Sequence, residues 1–112
     1  MDNRELIHSL ADEKKSVIAD INRSVWGYAE YGYKEFKSAA KIMEVLASEG
    51  FQVEKNVAGI ETAFIGVYGS GKPVIGILAE YDALPNLSQE AGVAERYPIE
   101  GKNYGHGCGH SA

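Results

Sequence analysis

The sequence predicts an α/β fold in which two helices precede about three strands of a mixed sheet and a metal-site loop. Three observations carry this prediction. Apolar residues recur at three- and four-residue spacing through residues 3 to 26 and 34 to 49. They alternate with polar ones in two stretches near the middle of the chain, and then form a continuous apolar run at 74 to 79. His106, Cys108 and His110 stand at alternate positions between glycines.

The first helix places Leu6, Ile7, Leu10, Val17, Ile18, Ile21 and Val25 on one face and Glu5, Asp12, Glu13, Lys15 and Asp20 on the other. Asp2 or Asn3 is the expected N-cap. His8, among polar neighbours in the first turns, reads as a surface residue. Residues 26 to 33 hold two glycines and four aromatic residues and read as a packed loop covering the helix end. The second helix carries Phe36, Ala39, Ala40, Met43, Leu46 and Ala47 as an apolar stripe, with Gly50 as its C′ residue.

The period then changes. Phe51 to Val57 and Thr62 to Tyr68 alternate as half-buried strands do. Gly69-Ser70-Gly71-Lys72-Pro73 reads as a turn; it lacks the Lys-Ser/Thr pair and following helix of a phosphate loop. Val74 to Ala79 is expected to be a central strand buried on both faces. Glu80 and Asp82 leave the end of that strand, where functional groups of open α/β sheets collect. Residues 83 to 102 form a long loop with Pro85 and Pro98, expected to frame a site.

In an extended segment His106, Cys108 and His110 would share one face. Imidazole and thiolate suit Zn²⁺, carboxylates complete such sites, and a thiolate disfavours Mg²⁺ or Ca²⁺. The candidate set is Glu80, Asp82, His106, Cys108 and His110. A Cys–His nucleophile pair is the competing chemistry; two histidines with two upstream acids favour a metal. The net charge of −5 argues against nucleic acid or an anionic membrane as partner. No apolar run is long enough to span a bilayer, and the N-terminus is unlike a secretory signal. A single cysteine suits a cytoplasmic setting.

Several pieces, in order, carry a resemblance: Glu30 to Ser38, Gly71-Lys72-Pro73-Val74-Ile75, Glu80-Tyr81-Asp82-Ala83-Leu84, Leu87-Ser88-Gln89 and Gly105-His106-Gly107-Cys108-Gly109-His110. Together they resemble the aminoacylase-type metal-dependent amidohydrolases, peptidase family M-twenty. The resemblance implies that residues 1 to 112 are the N-terminal portion of a zinc-peptidase-like catalytic domain, without the lid and dimerisation domain. It implies hydrolysis of an amide bond in N-acyl amino acids or dipeptide-like substrates. It also implies a dinuclear Zn²⁺ site, with Mn²⁺ as the other candidate metal, and a homo- or hetero-oligomer.

Matched position by position, Cys108 and His110 fall on metal ligands. Asp82 falls on the acid that supports the site, and is the catalytic-site residue expected here. Glu80 stands where related peptidases have a metal-binding His, and His106 belongs to the motif without being a direct ligand. The family's general base and remaining ligands fall outside these matches, so the chain alone is expected to be inactive. Ala29 and Ser111 depart from the family's usual Pro and Asp or Asn. The reading from a different class is a stand-alone metal-binding or subunit-docking module without catalysis.

Overall fold

The computed structural model covers all 112 residues. Helix α1 runs from Asn3 to Tyr28. Asp2 caps it: its carboxylate accepts from the Glu5 amide at 2.8 Å, and the Glu5 side chain accepts from the Asp2 amide at 3.0 Å. This reciprocal box satisfies two amides that a helix N-terminus otherwise leaves free. At its other end the helix continues through Gly27 and Tyr28, which the sequence places in a loop. It stops where Ala29 turns to φ 45° and its amide bonds to the Val25 carbonyl.

Helix α2 spans Phe36–Ser48 and is followed by Gly50 at φ 91°. Its start is capped from outside. Glu30 accepts from the Lys37 amide at 3.0 Å and the Ser38 amide at 2.8 Å with its two carboxylate oxygens. A carboxylate here also meets the positive end of the helix dipole. We expect Glu30→Ala to lower stability by about 1 kcal/mol in urea unfolding. An unchanged midpoint would mean that water replaces the cap without loss.

The helices are tied by Lys14–Glu49 and Lys41–Asp20, both at 2.6 Å. These pairs lie near solvent and each contributes little; apolar contact carries the packing. Val25 of α1 and Ala39 of α2 are fully buried. Much of both expected apolar faces is nevertheless open: Leu6, Ile7, Leu10 and Ile18 on α1 are exposed, as are Phe36, Ala40 and Ala47 on α2.

Strand β1 (Gln52–Lys55) pairs antiparallel with β2 (Phe64–Val67), Gln52 opposite Val67 and Lys55 opposite Phe64. Both are shorter than the alternation suggested. Asn56 and Ala58 take positive φ, and Val57–Gly59 becomes a 3-10 turn. Helix α2 lies over this ribbon, and a Cβ on Gly66 would stand 3.1 Å from Leu46. A second ribbon joins β3 (Leu84–Pro85) to β4 (Tyr104–Gly105). The only parallel pairing is a single bridge between Tyr31 and Ala83. The strands thus form two antiparallel ribbons rather than one mixed sheet.

The expected central strand is the main correction. Residues 74 to 79 form no ladder, and Val74, Ile75, Ile77 and Leu78 are 82 to 95% exposed. An apolar run states that a segment needs burial on two faces; it does not supply the neighbouring strands. Here neither ribbon offers them. The consequence is an open molecule: its radius of gyration is 16.2 Å, against about 13 Å for a compact domain of this length.

Candidate functional site

Residues 80 to 82 alternate as extended backbone does. Tyr81 turns inward, its ring stacked on Phe64 and its hydroxyl donating to the Thr62 carbonyl. Burial raises its pKa. Glu80 and Asp82 turn the other way, and both reach His110. Asp82 Oδ1 lies 2.7 Å from His110 Nδ1, and Glu80 Oε2 lies 3.1 Å from His110 Nε2. The backbone behind Asp82 is fixed by the Ala83 amide, which donates to the Glu30 carbonyl at 2.7 Å. Glu30 therefore caps α2 with its side chain and holds the acid segment with its backbone.

The loop after β4 differs from the extended reading. The ladder ends at Gly105, and two turns follow, closed by Gly109 N–H to His106 O at 3.1 Å and Ala112 N–H to Gly109 O at 3.0 Å. Gly109 at φ 83° permits the turning. The three candidate side chains accordingly do not share one face. His110 meets the two acids. His106 turns back to α1, its Nε2 3.0 Å from the Val25 carbonyl. A carbonyl only accepts, so Nε2 carries the proton, and the buried Nδ1 lone pair has no partner. Cys108 is exposed and free. No three His, Cys, Asp or Glu side chains converge as a group able to hold an ion.

The two loop histidines are displaced in opposite senses. The Asp82 hydrogen bond raises the His110 pKa above its usual 6.5, and burial lowers that of His106. A raised value means that the protonated form is favoured by folding. The His110 contribution is therefore present below pH 6.5 and is lost as pH rises through the folded value. His106 contributes above 6.5 and loses that contribution as pH falls. In the metal-free chain an NMR titration of the imidazoles should show His110 protonating at higher pH than His106, and Asp82→Asn should pull His110 back toward 6.5. Coincident titration of the two rings would contradict this geometry.

Beside this cluster lies a cleft of about 350 Å³. Its wall is the long loop, whose ends are closed by the Asn86 amide donating to the Asn103 carbonyl at 2.6 Å. Gln89 organises the loop interior: its amide nitrogen donates to the Glu95 carbonyl at 2.8 Å and its oxygen accepts from the Tyr97 amide at 2.9 Å. Buried Ser88 accepts from the Ile99 amide. Sequence reading did not single out Gln89 or Ser88 as organisers, nor Glu30 as a cap. The available signal for Glu30 was an acid shortly before a helix; for Gln89 none was present, since its partners are backbone groups.

No family model matches the chain. Over 92 residues it is 47% identical to the B subunit of the p-aminobenzoyl-glutamate hydrolase of Escherichia coli (strain K12), a match covering 82% of this chain and 19% of that protein. This chain is homologous to part of that hydrolase. It spans about one fifth of the length of the relative it matches. No helix is long and apolar enough to cross a membrane.

Proposed function

We propose that the chain carries part of the metal site of an amidohydrolase that cleaves N-acyl amino acids of the aminobenzoyl-glutamate type. The observation that supports this reading best is the Asp82–His110 bond. A carboxylate on Nδ1 fixes the ring's orientation, the arrangement common behind metal-bound histidines, and Nε2, which here faces Glu80, would become the metal donor once it gives up its proton. Glu80 adds an oxygen donor beside that nitrogen, and Cys108 is a thiol two residues away. This nitrogen, sulfur and oxygen set suits zinc.

In this reading His110 and Cys108 would hold the ion, with Mn²⁺ as the other candidate. Asp82 orients His110, Glu80 is a further donor, and His106 anchors the loop to α1. A bound zinc supplies an acidified water and charge stabilisation for the developing oxyanion. The two acids that reach this cluster, Glu80 and Asp82, are both engaged with His110, so a separate carboxylate would take the water's proton. For that reason the isolated chain is proposed to be inactive.

The test is a chimera in which this chain replaces the matched stretch of the Escherichia coli protein. Aminobenzoyl-glutamate hydrolysis should persist, stop on chelation, return with Zn²⁺ or Mn²⁺, and be lost in Cys108→Ala and His110→Ala. Full activity in both variants would refute the assignment. Turnover by the isolated chain, lost in Cys108→Ala, would refute its inactivity. A docking module without catalysis is the second reading, favoured by the exposed Val74–Leu78 run. It requires a stable, monodisperse chain that binds zinc on its own, and size exclusion with a zinc titration decides it.

A further inference from the structure

The hydrolase reading leaves open which end of an acyl-amino-acid substrate meets which wall, and the cleft beside His106 has the chemistry to decide this. Its lining is apolar over most of its area, with Trp26, Tyr104, Leu87 and Ile99 the largest apolar or aromatic residues. Its polar side chains Ser88 and Gln89 are engaged in holding the loop. The lining holds one acid, Glu90, and one ammonium, Lys102, whose Nζ donates to the Gly27 carbonyl at 3.3 Å. Glu90 has no side-chain partner among the hydrogen bonds or ion pairs of the chain. A cleft with one charge of each sign does not suit the two carboxylates of an N-acylated glutamate, which would meet Glu90 with a single cation to offset them. It suits a flat, uncharged ring, which gains from apolar burial and from the Trp26 indole. The size is at the lower end of small-molecule sites. Two residues of the cleft, His106 and Gly107, directly precede Cys108 on the loop that leads to His110.

We propose that this cleft receives the uncharged aromatic acyl end of the amide substrate, with the ring against Trp26 and Ile99 and a ring amino group donating to Glu90. This rests on the hydrolase reading above. It directs the amino-acid end of the substrate away from the cleft, and so makes the loop residues 88 to 99 determinants of acyl specificity.

The experiment is ligand-observed saturation-transfer NMR on the 112-residue chain without metal, using 4-aminobenzamide, benzamide and N-acetyl-L-glutamate, the glutamate probe, as separate probes. Transfer to the ring protons of both amides is expected, with none to glutamate. Ala91→Phe, which fills the cleft, and Ile99→Asp, which charges its wall, should each abolish it while far-UV circular dichroism is retained. Glu90→Gln alters only an exposed side chain, so folding is not at issue. It should weaken 4-aminobenzamide about tenfold, as loss of a charge-assisted hydrogen bond does, and leave benzamide unchanged. Undiminished transfer in Ala91→Phe and Ile99→Asp, equal effects of Glu90→Gln on the two amides, or preferential transfer to glutamate would each overturn the proposal. No metal or turnover enters this measurement. Failure of the chimera to hydrolyse substrate would count against the metal-site reading and not against the cleft.

Discussion

Gly105→Ala should be the most damaging single-methyl change in the chain, costing about 3 kcal/mol. A Cβ at this position would overlap the Leu87 carbonyl oxygen and lie 2.5 Å from its carbonyl carbon and 3.0 Å from the Ser88 nitrogen. The obstruction is backbone, so no rotamer change relieves it. Gly105 is also buried and sits opposite Leu84 in the β3–β4 ribbon. Relief therefore means separating the ribbon from the loop that forms the cleft wall. The neighbouring glycines provide internal controls. A Cβ on Gly107 would meet only the Leu87 side chain, at 2.5 Å from Cδ1, which can move. Gly109 meets nothing within 4 Å but sits at φ 83°. Each of those alanine changes should cost about 1 kcal/mol, for overpacking in one case and a left-handed backbone in the other. Chemical denaturation of the three variants measures the order. Equal stability of Gly105→Ala and Gly109→Ala would show that the close approach of Gly105 to the Leu87 backbone is not part of the folded state.

Asp82→Asn should weaken zinc binding roughly 10- to 100-fold, the usual loss when the carboxylate behind a metal-binding histidine is removed. The carboxylate 2.7 Å from Nδ1 makes the ring more basic and holds its orientation. An amide in its place keeps a weaker hydrogen bond and loses the charge. His110→Ala removes the donor itself and should abolish the site, and Cys108→Ala removes the thiolate. Zinc titrations of the chain, followed by the His110 ring resonances where the ring remains and by a competing chromophoric chelator elsewhere, give the comparison. If Asp82→Asn binds zinc as the parent does, Asp82 holds His110 only as an ion-pair partner, and the metal-site proposal loses its main support.

How much of this was legible in advance depends on the range of the interactions concerned. Helix α1 was legible because its period and the Asp2–Glu5 box are local, and α2 ended before Gly50 as read. The placement of Glu80 and Asp82 on one side of the backbone also followed from spacing alone, since extended residues two apart face the same way. That both would meet His110 did not follow, because 28 residues separate Asp82 from that ring. The shared face expected for His106, Cys108 and His110 was a misreading of local geometry. Their spacing fits a strand, but Gly107 and Gly109 permit turns as readily, and the chain turns. The extent of α1 was underestimated because aromatic residues and glycine at 26 to 28 look like a loop. They continue the helix until a left-handed residue, which composition did not mark, ends it at Ala29.

The residues in order therefore determined the two helices, the two short hairpin strands and the set of side chains able to do metal chemistry. Period, capping and donor type act within a few residues or within one side chain. Only the tertiary structure decided that Asp82 and Glu80 flank His110, that His106 faces α1, that Leu87 lies against Gly105 and that residues 86 to 103 close into a cleft. It also decided that the most apolar segment lies open, 82 to 95% exposed at its four largest side chains. These outcomes depend on which distant backbone groups find one another. Hydrophobicity specifies the need for burial and leaves the partner unnamed.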